Sequence, residues 1–227
     1  MDIPALLLTL RLALSTTAIL LLIAIPIAWW IASGTGLLRA LTQSIVALPL
    51  VLPPTVLGFY LLVALGPLTA PGRLITRLIG HPLAFSFSGL LIGSLLYSLP
   101  FAVQPLVAGF TALDRAYLEA AAGLGVPPPR RFTSIALPLT RGSLLAAAVL
   151  TFTHTVGEFG VVLMLGGNIP GATRTLSIAL YDQVQDFDYT AANQTAALLL
   201  GFALLALLAI YLIPAARRTR KLGDGLA

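Results

Sequence analysis

Five long apolar segments are the feature that most constrains how this chain can fold. Each is close to the roughly 20 residues that an α-helix needs to cross the hydrocarbon core of a bilayer. The 227 residues are 58% hydrophobic and only 9% charged, whereas a soluble domain is about a quarter charged. These proportions exclude an aqueous monomer and a disordered chain, and they predict an all-α membrane protein with about five transmembrane helices. The predicted spans are residues 12–32, 41–65, 85–107, 142–165 and 196–214.

The second predicted span contains Pro49, Pro53 and Pro54. Proline lacks the backbone N–H of a helical hydrogen bond and clashes with the preceding turn, so this span should be kinked or broken. A break would free backbone carbonyls towards a central path, and a plain kink is the alternative reading.

The distribution of basic residues predicts the orientation, because Lys and Arg favour cytoplasmic loops. One basic cluster lies between the third and fourth spans, and another lies in the C-terminal tail. Both can be cytoplasmic if the N-terminus is outside and the C-terminus is inside. Segments 66–84 and 167–195 are then external, with a short interfacial helix expected at 175–184. The net charge of +5 is assigned to this topology and not to nucleic acid. The chain has no cysteine, which excludes disulfides and thiolate sites.

The loop between the third and fourth spans carries consecutive helix signals. Residues 113–124 are rich in alanine, and Asp114 is placed to cap a helix. Gly125 suits the left-handed residue that ends a helix, and prolines follow it. A second short helix is expected at 130–137. Such a helix–turn–helix suits docking of another protein, and an ordinary structured loop is the alternative.

The same loop resembles the EAA signature of the permeases of ABC importers. In that family, of the type I importer fold, the segment is a coupling helix that sits in a groove of a separate cytoplasmic ATPase subunit. The resemblance implies one transmembrane permease domain over residues 1–227, with a coupling loop at 114–138. The matching residues, which the resemblance assigns to ATPase coupling, are Glu119, Ala120, Ala121, Gly125, Ile135, Leu137 and Pro138.

Three further segments, at 50–54, 157–160 and 167–175, are similar to the molybdate permease group. That resemblance implies import of a tetrahedral oxyanion through a homodimer in the inner membrane of a prokaryote. It also implies delivery by an external oxyanion-binding protein. Molybdate is the first choice, and tungstate and sulfate are alternatives. The chain lacks a phosphate-binding Gly-x-x-x-x-Gly-Lys-Ser/Thr sequence. We therefore expect a transport subunit and no enzyme, without its own cofactor, and ATP and Mg²⁺ in the partner ATPase.

Two ionisable residues of the fourth predicted span, His154 and Glu158, are candidates for the translocation path. Spaced four apart, they would share a helix face, and charged groups within a membrane usually face a bundle interior or an aqueous path. They could line the path, or pair with each other or with helix ends and so fix the geometry of the span, or form the proton relay of a gradient-driven secondary transporter. Members of the molybdate group often carry Arg where this chain has His154.

Asn168 and Arg174 flank a Pro-Gly turn at the expected external mouth, where they could gate the path, meet the binding protein or simply build the turn. Pro53 and Pro54 complete the candidate path. An intramembrane enzyme is disfavoured because His154 and Glu158 are in the wrong order for His-Glu-x-x-His, and no second histidine lies near. No catalytic residue and no metal site are predicted.

Overall fold

The structure, a computed structural model, describes residues 2–223, and the regular secondary structure in that range is helical. Within residues 2–223, three helices are long and apolar enough to cross a membrane, and two bent helix pairs raise the number of spans to as many as five. The helices are α1 (Ile3–Ala32), α2 (Leu37–Val51), α3 (Pro54–Leu65), α4 (Ala70–Ile79), α5 (Phe87–Thr111), α6 (Arg115–Gly123), α7 (Pro128–Arg131), α8 (Leu137–Leu139), α9 (Arg141–Gly157), α10 (Gly160–Gly166), α11 (Leu176–Gln185) and α12 (Tyr189–Gly223).

The first helix begins nine residues before the predicted boundary at residue 12. Asp2 caps it, because the Asp2 carboxylate accepts a hydrogen bond of 3.0 Å from the Ala5 N–H. Arg11 therefore lies inside the helix instead of flanking it. Its guanidinium sits 4.3 Å above the centre of the Phe87 ring of α5, a cation–π contact that compensates for placing the charge there.

The break predicted in the second span is confirmed. Helix α2 ends at Val51, Leu52 and Pro53 are extended, and α3 begins at Pro54. The axes of α2 and α3 differ by 109°. Pro49 is accommodated within α2, so the adjacent prolines at 53 and 54 cause the sharp turn.

The fourth predicted span, residues 142–165, is wrong as one continuous helix. Helix α9 ends at Gly157, Glu158 is extended with φ −66° and ψ 132°, and α10 begins at Gly160. The glycines on both sides of Glu158 and Phe159 weaken the helix at this point. The bent pair that is long enough to span a membrane is instead Pro128–Leu139 with Arg141–Gly157, which turns by 71°.

Helices α1, α5 and α9 form the centre of the bundle. Alanines occupy the contact, and Ala24, Ala28, Ala102 and Ala147 are completely buried. Small side chains let membrane helices approach closely, so that van der Waals contacts hold them together where there is no water to expel. This centre carries the polar residues described below.

The last helix, α12, packs on α9 and α11 and leaves most of its apolar surface uncovered. Leu200, Leu205 and Leu212 are all more than half exposed. Such a surface is suited to lipid or to another membrane protein. The predicted span at 196–214 lies within α12, which begins earlier, at Tyr189.

The segments predicted to be external contain one expected helix and one that was missed. Helix α11 confirms the helix expected at 175–184, and the Thr175 hydroxyl caps it by accepting from the Ile178 N–H at 3.4 Å. Helix α4 was missed because glycine and proline dominate segment 66–84. It is capped by Thr69 and ends at Gly80, whose φ of +88° is left-handed.

Candidate coupling surface and translocation path

The first half of the coupling loop has the predicted geometry. The Asp114 carboxylate caps α6 by accepting a 2.9 Å bond from the Ala116 N–H. Gly125 has φ +77°, and its N–H donates to the Ala122 carbonyl at 2.9 Å while the Val126 N–H donates to the Ala121 carbonyl at 3.0 Å. This pair of bonds is the Schellman motif, which stops a helix at a left-handed residue. Gly125 is therefore required by the backbone conformation.

The second half of the loop differs from the single helix predicted at 130–137. Pro128 starts the short helix α7, a π-helical turn follows over Phe132–Ala136, and α8 contains Pro138. Proline is tolerated there because it occupies the first turn of α8. Ile135 and Leu137 are half-buried, and Leu137 packs against the central core.

We define the coupling face as Tyr117, Glu119, Ala120 and Leu124, which are four of the exposed residues on and just after α6. Tyr117 is 59% exposed and Leu124 is 84% exposed. Ala121, by contrast, is buried and joins the inner side of α6. An apolar and small-residue face that carries one carboxylate is suited to a protein groove.

An aromatic cluster, which the sequence did not predict, joins the loop to the bundle. The Trp29 ring at the end of α1 lies 5.3 Å from Phe110 of α5 and 5.0 Å from Phe132 of the loop. Phe110 and Phe132 are 6.0 Å apart. These are normal distances for interacting aromatic rings. The spacing of three aromatic residues so far apart in the sequence gave no signal of their contact.

Glu158 is buried at the break between α9 and α10. One carboxylate oxygen, Oε2, accepts a 2.8 Å hydrogen bond from the Ser94 hydroxyl of α5. The other oxygen, Oε1, is buried without a hydrogen-bond partner among residues 2–223. The side chain therefore holds the non-helical segment against α5.

His154 is attached to the same helix by a different serine. Its Nδ1 atom lies 2.9 Å from the Ser98 hydroxyl, which is also 3.1 Å from the Thr155 hydroxyl. The imidazole stacks on Phe101 of α5, with 3.9 Å between ring centres. We call the contacts of His154 with Ser98 and of Glu158 with Ser94 the two clasps.

The expectation that His154 and Glu158 share a helix face is wrong, because the helix ends between them. They also do not pair with each other, since each is bonded to a serine of α5. Ser94 and Ser98 were missed as site residues. Their spacing of four in an otherwise apolar span places them on one face, which was the available signal.

The two helix breaks meet beside these clasps. A side chain at Gly160, the first residue of α10, would lie 2.9 Å from Cβ of Pro54, the first residue of α3. A side chain at Gly58 would lie 2.7 Å from Cβ of Met164. Helices α3 and α10, which each begin at a break, thus contact each other closely at glycines. Pro53 and Pro54 lie where these two helices meet.

At the other candidate position, Asn168 and Arg174 bind each other and Asp182. Arg174 Nε donates to the Asn168 side-chain oxygen at 2.6 Å, and the guanidinium lies 3.3 Å from Asp182. Asn168 donates to the same Asp182 oxygen at 2.6 Å. Asp2 lies 3.9 Å from Arg174 on the other side. The charge of Arg174 is therefore compensated by two carboxylates, an arrangement that ties the loop after α10 to α11 and to the start of α1.

The sequence profile of one family, the inner membrane component of binding-protein-dependent transport systems, matches residues 24–219. The chain belongs to this family. It is accordingly a multi-pass inner-membrane transport component and not an enzyme, and it acts with a separate ATPase and a binding protein.

Relatives match nearly the whole chain. The molybdenum transport system permease protein ModB of Azotobacter vinelandii is 48% identical over 92% of this chain and 93% of its own length. ModB of Haemophilus influenzae is 34% identical over 99% and 98% of the two chains. The sulfate transport system permease protein CysT of Salmonella typhimurium is 30% identical over 76% of this chain and 62% of its own.

Solved structures show the same fold at low identity. The MetNI methionine ABC transporter, in an inward-facing form, matches with a TM-score of 0.72 at 16% identity and covers 95% of both chains. A bacterial alginate ABC transporter with a bound periplasmic protein also has a TM-score of 0.72, at 19% identity, and covers 92% of this chain and 75% of that one. These matches confirm the predicted importer permease fold.

Proposed function

We propose that two copies of this chain form the translocation path of an ATP-driven importer for a tetrahedral oxyanion, and that the oxyanion is molybdate. The observation that carries the proposal is the 48% identity, over nearly the full length of both chains, to a molybdenum transport permease. The sulfate permease matches less of both chains at lower identity. Tungstate and sulfate remain alternatives for the test below.

The coupling face supports an ATPase docking role for α6. It exposes Tyr117 and Leu124 around Glu119, on a helix with a cap at each end. A helix that keeps its shape without a partner loses little conformational entropy when a groove closes around it. ATP and Mg²⁺ then bind in the ATPase subunit, and this chain supplies Glu119 and Ala120 to the contact, while Gly125 ends the helix and the buried Ala121 packs on its inner side.

The homodimer is supported by apolar surface that one copy leaves uncovered. Val51 at the end of α2 is 82% exposed, and Phe59 and Tyr60 of α3 are 49% and 64% exposed. These residues adjoin the break at Pro53 and Pro54. A second copy covering this face would place two pairs of breaks around one central path, and lipid would cover α12. The N-terminus is outside and the C-terminus cytoplasmic in this arrangement.

The charges near the path suit passage more than tight binding. Arg174 is compensated by Asp2 and Asp182, and Glu158 in its ionised form would repel a dianion. Transport requires an ion to leave as easily as it enters, so selectivity resides mainly in the binding protein. In the cycle, ATP binding draws the two coupling loops together and opens the path outward, and hydrolysis returns it inward.

The test is reconstitution of the permease and ATPase subunits in vesicles, with the binding protein loaded in turn with molybdate, tungstate or sulfate. We expect molybdate to stimulate ATP hydrolysis and uptake most. Equal or greater stimulation by another oxyanion would reassign the substrate. Uptake without ATP, driven by an ion gradient, would contradict the importer and favour the secondary transporter with His154 and Glu158 as its relay.

A further inference from the structure

A cavity of about 280 Å³ lies between the coupling loop and the ends of α1 and α5. Its walls are mainly apolar where they meet the bundle and charged where they meet the loop. It is next to the aromatic cluster, on the inner side of α6, away from the coupling face except at Glu119. The lining residues used below are Trp29, Phe110, Leu118, Arg115, Glu119 and Arg131.

Arg131 is only partly satisfied inside this cavity. Its Nε atom is buried and has no hydrogen-bond partner in residues 2–223. Its Nη1 atom donates to the Leu118 carbonyl at 3.5 Å, the outer limit for a hydrogen bond. A buried guanidinium donor without an acceptor costs free energy comparable to that of a lost hydrogen bond. The guanidinium of Arg131 also lines the cavity, where its other N–H groups can donate to the acceptor oxygens of a ligand.

The position of the cavity indicates what such a ligand is. Trp29 and Trp30 end the first span, and indole rings favour the membrane–water interface. Arg39, which donates to the Trp30 carbonyl at 3.0 Å, marks the same level. Basic pockets between membrane helices on the cytoplasmic side are typical sites for lipid phosphate groups.

We propose that this cavity binds the phosphate group of an anionic phospholipid from the cytoplasmic leaflet. The phosphodiester oxygens accept from Arg131 and Arg115, and the glycerol and the first methylene groups pack against Trp29 and Leu118. A phosphodiester carries one negative charge. This balances the net charge of the cavity, where two arginines face one carboxylate, Glu119.

Free inorganic phosphate fits the same cavity less well. It is a mixture of monoanion and dianion at neutral pH, so on average it carries more negative charge than two arginines and one carboxylate leave to be balanced. It would also leave the apolar walls formed by Trp29, Phe110 and Leu118 in contact with water, whereas a lipid covers them. We therefore assign the lipid as the source of the phosphate group.

Binding of this lipid would brace the coupling loop against α1 and α5. The bound group touches α6 through Arg115, the loop through Arg131, and α1 through Trp29. Its effect on ATP-driven transport rests on the proposed function. Its binding does not, and a binding measurement on the purified permease separates the two.

The experiment uses the fluorescence of Trp29. The chain has two tryptophans, so the W30F variant leaves Trp29 as the single reporter. In neutral detergent, this variant is titrated with phosphatidylglycerol, with phosphatidylcholine and with inorganic phosphate. Arg131→Gln in that background removes the guanidinium that lines the cavity, and Arg130→Gln, at an exposed position that does not line the cavity, is the matched control.

We expect phosphatidylglycerol to shift the Trp29 emission in a saturable way, and phosphatidylcholine and phosphate to have little effect. Arg131→Gln should weaken that binding roughly tenfold, which corresponds to loss of one hydrogen bond from a charged donor, and Arg130→Gln should not. If Arg131→Gln does not elute as a folded, monodisperse protein, Arg115→Gln replaces it with the same expectation.

Three results would overturn the proposal. They are an absent response to phosphatidylglycerol, an equal response to phosphatidylcholine, and unchanged affinity in both arginine variants. An equal response to inorganic phosphate would reassign the site to a free anion. If the lipid binds but reconstituted ATPase activity does not depend on it, the site stands and its role in coupling is refuted.

Discussion

Gly58→Ala tests whether the close packing of α3 on α10 is required for the path. The added methyl would lie 2.7 Å from Met164 Cβ and 3.2 Å from the Val161 backbone. Carbon atoms pack best at about 3.5–4.0 Å, and a Cβ atom moves only with its backbone, so the two helices must separate by roughly 0.8 Å. Overpacking of this kind costs about 1–3 kcal/mol.

Gly201→Ala is the matched control. Gly201 also lies inside a helix, α12, and a methyl there meets no atom within 4 Å. Alanine is a better helix former than glycine by about 0.5–1 kcal/mol, so the intrinsic helix stability rises by that amount in both variants. The difference in unfolding free energy between Gly58→Ala and Gly201→Ala therefore equals the overpacking cost, about 1–3 kcal/mol.

Thermal unfolding in detergent and ATP-driven uptake in vesicles measure the two consequences. For a chain of this size, about 1 kcal/mol corresponds to roughly 2–4 °C in Tm, so Gly58→Ala should melt roughly 2–12 °C below Gly201→Ala. We also expect it to lose uptake, because displaced α3 and α10 alter the junction of the two breaks. A Gly58→Ala protein that matches Gly201→Ala in both assays would refute the packing argument.

Three further variants address the loop and the clasps. Gly125→Val forces a β-branched residue into a φ of +77°. We expect this substitution to lower the free energy of unfolding by about 1–2 kcal/mol and to abolish ATPase stimulation. Gly123→Ala is the control, because the added methyl meets no atom within 4 Å, and it should leave ATPase stimulation unchanged. Membrane fractionation measures the insertion of both variants. Glu119→Lys should prevent co-purification of the ATPase without changing Tm, and an intact complex would count against the coupling face. His154→Ala should lower ATP-driven uptake by a larger factor than it lowers the expression of the protein. Unaffected uptake would show that His154 is dispensable.

Much of the coupling loop could be predicted because its signals are local. Asp114, Gly125 and the prolines act on their own backbone neighbours, so each sets a helix end without help from the rest of the fold. The break at Pro53 and Pro54 is local in the same way. The signature residues from Glu119 to Pro138 therefore lie where the pattern placed them on the loop, although the segment after Gly125 is irregular.

The interior could not be predicted because its contacts join residues distant in the sequence. Ser94 and Glu158 are 64 positions apart, and Ser98 and His154 are 56 apart. Helical periodicity extended α9 through Glu158, and only the tertiary contact with α5 shows why the chain leaves the helix there. Arg174 is a candidate path residue from the sequence alone, because the sequence does not show that Asp182 of the same segment and Asp2 at the start of the chain meet its guanidinium.

Helix α5 is the element that connects the coupling loop with the path. Its C-terminal end holds Phe110 in the aromatic cluster with Phe132 of the loop, and its middle carries Ser94 and Ser98 of the two clasps. At about 1.5 Å per residue, Ser94 and Phe110 are roughly 24 Å apart along one helix.

Pro100 and Pro105 lie inside α5, between the clasps and the aromatic cluster. Each proline removes one backbone hydrogen bond from the helix interior, which makes bending easier at that point. A movement of the loop can therefore bend α5 between its two contacts and change how it holds the break at Glu158. The aromatic cluster would pass a movement of the loop to α5, and the clasps would pass it from α5 to the break at Glu158. A substitution at either contact should therefore uncouple ATP hydrolysis from transport.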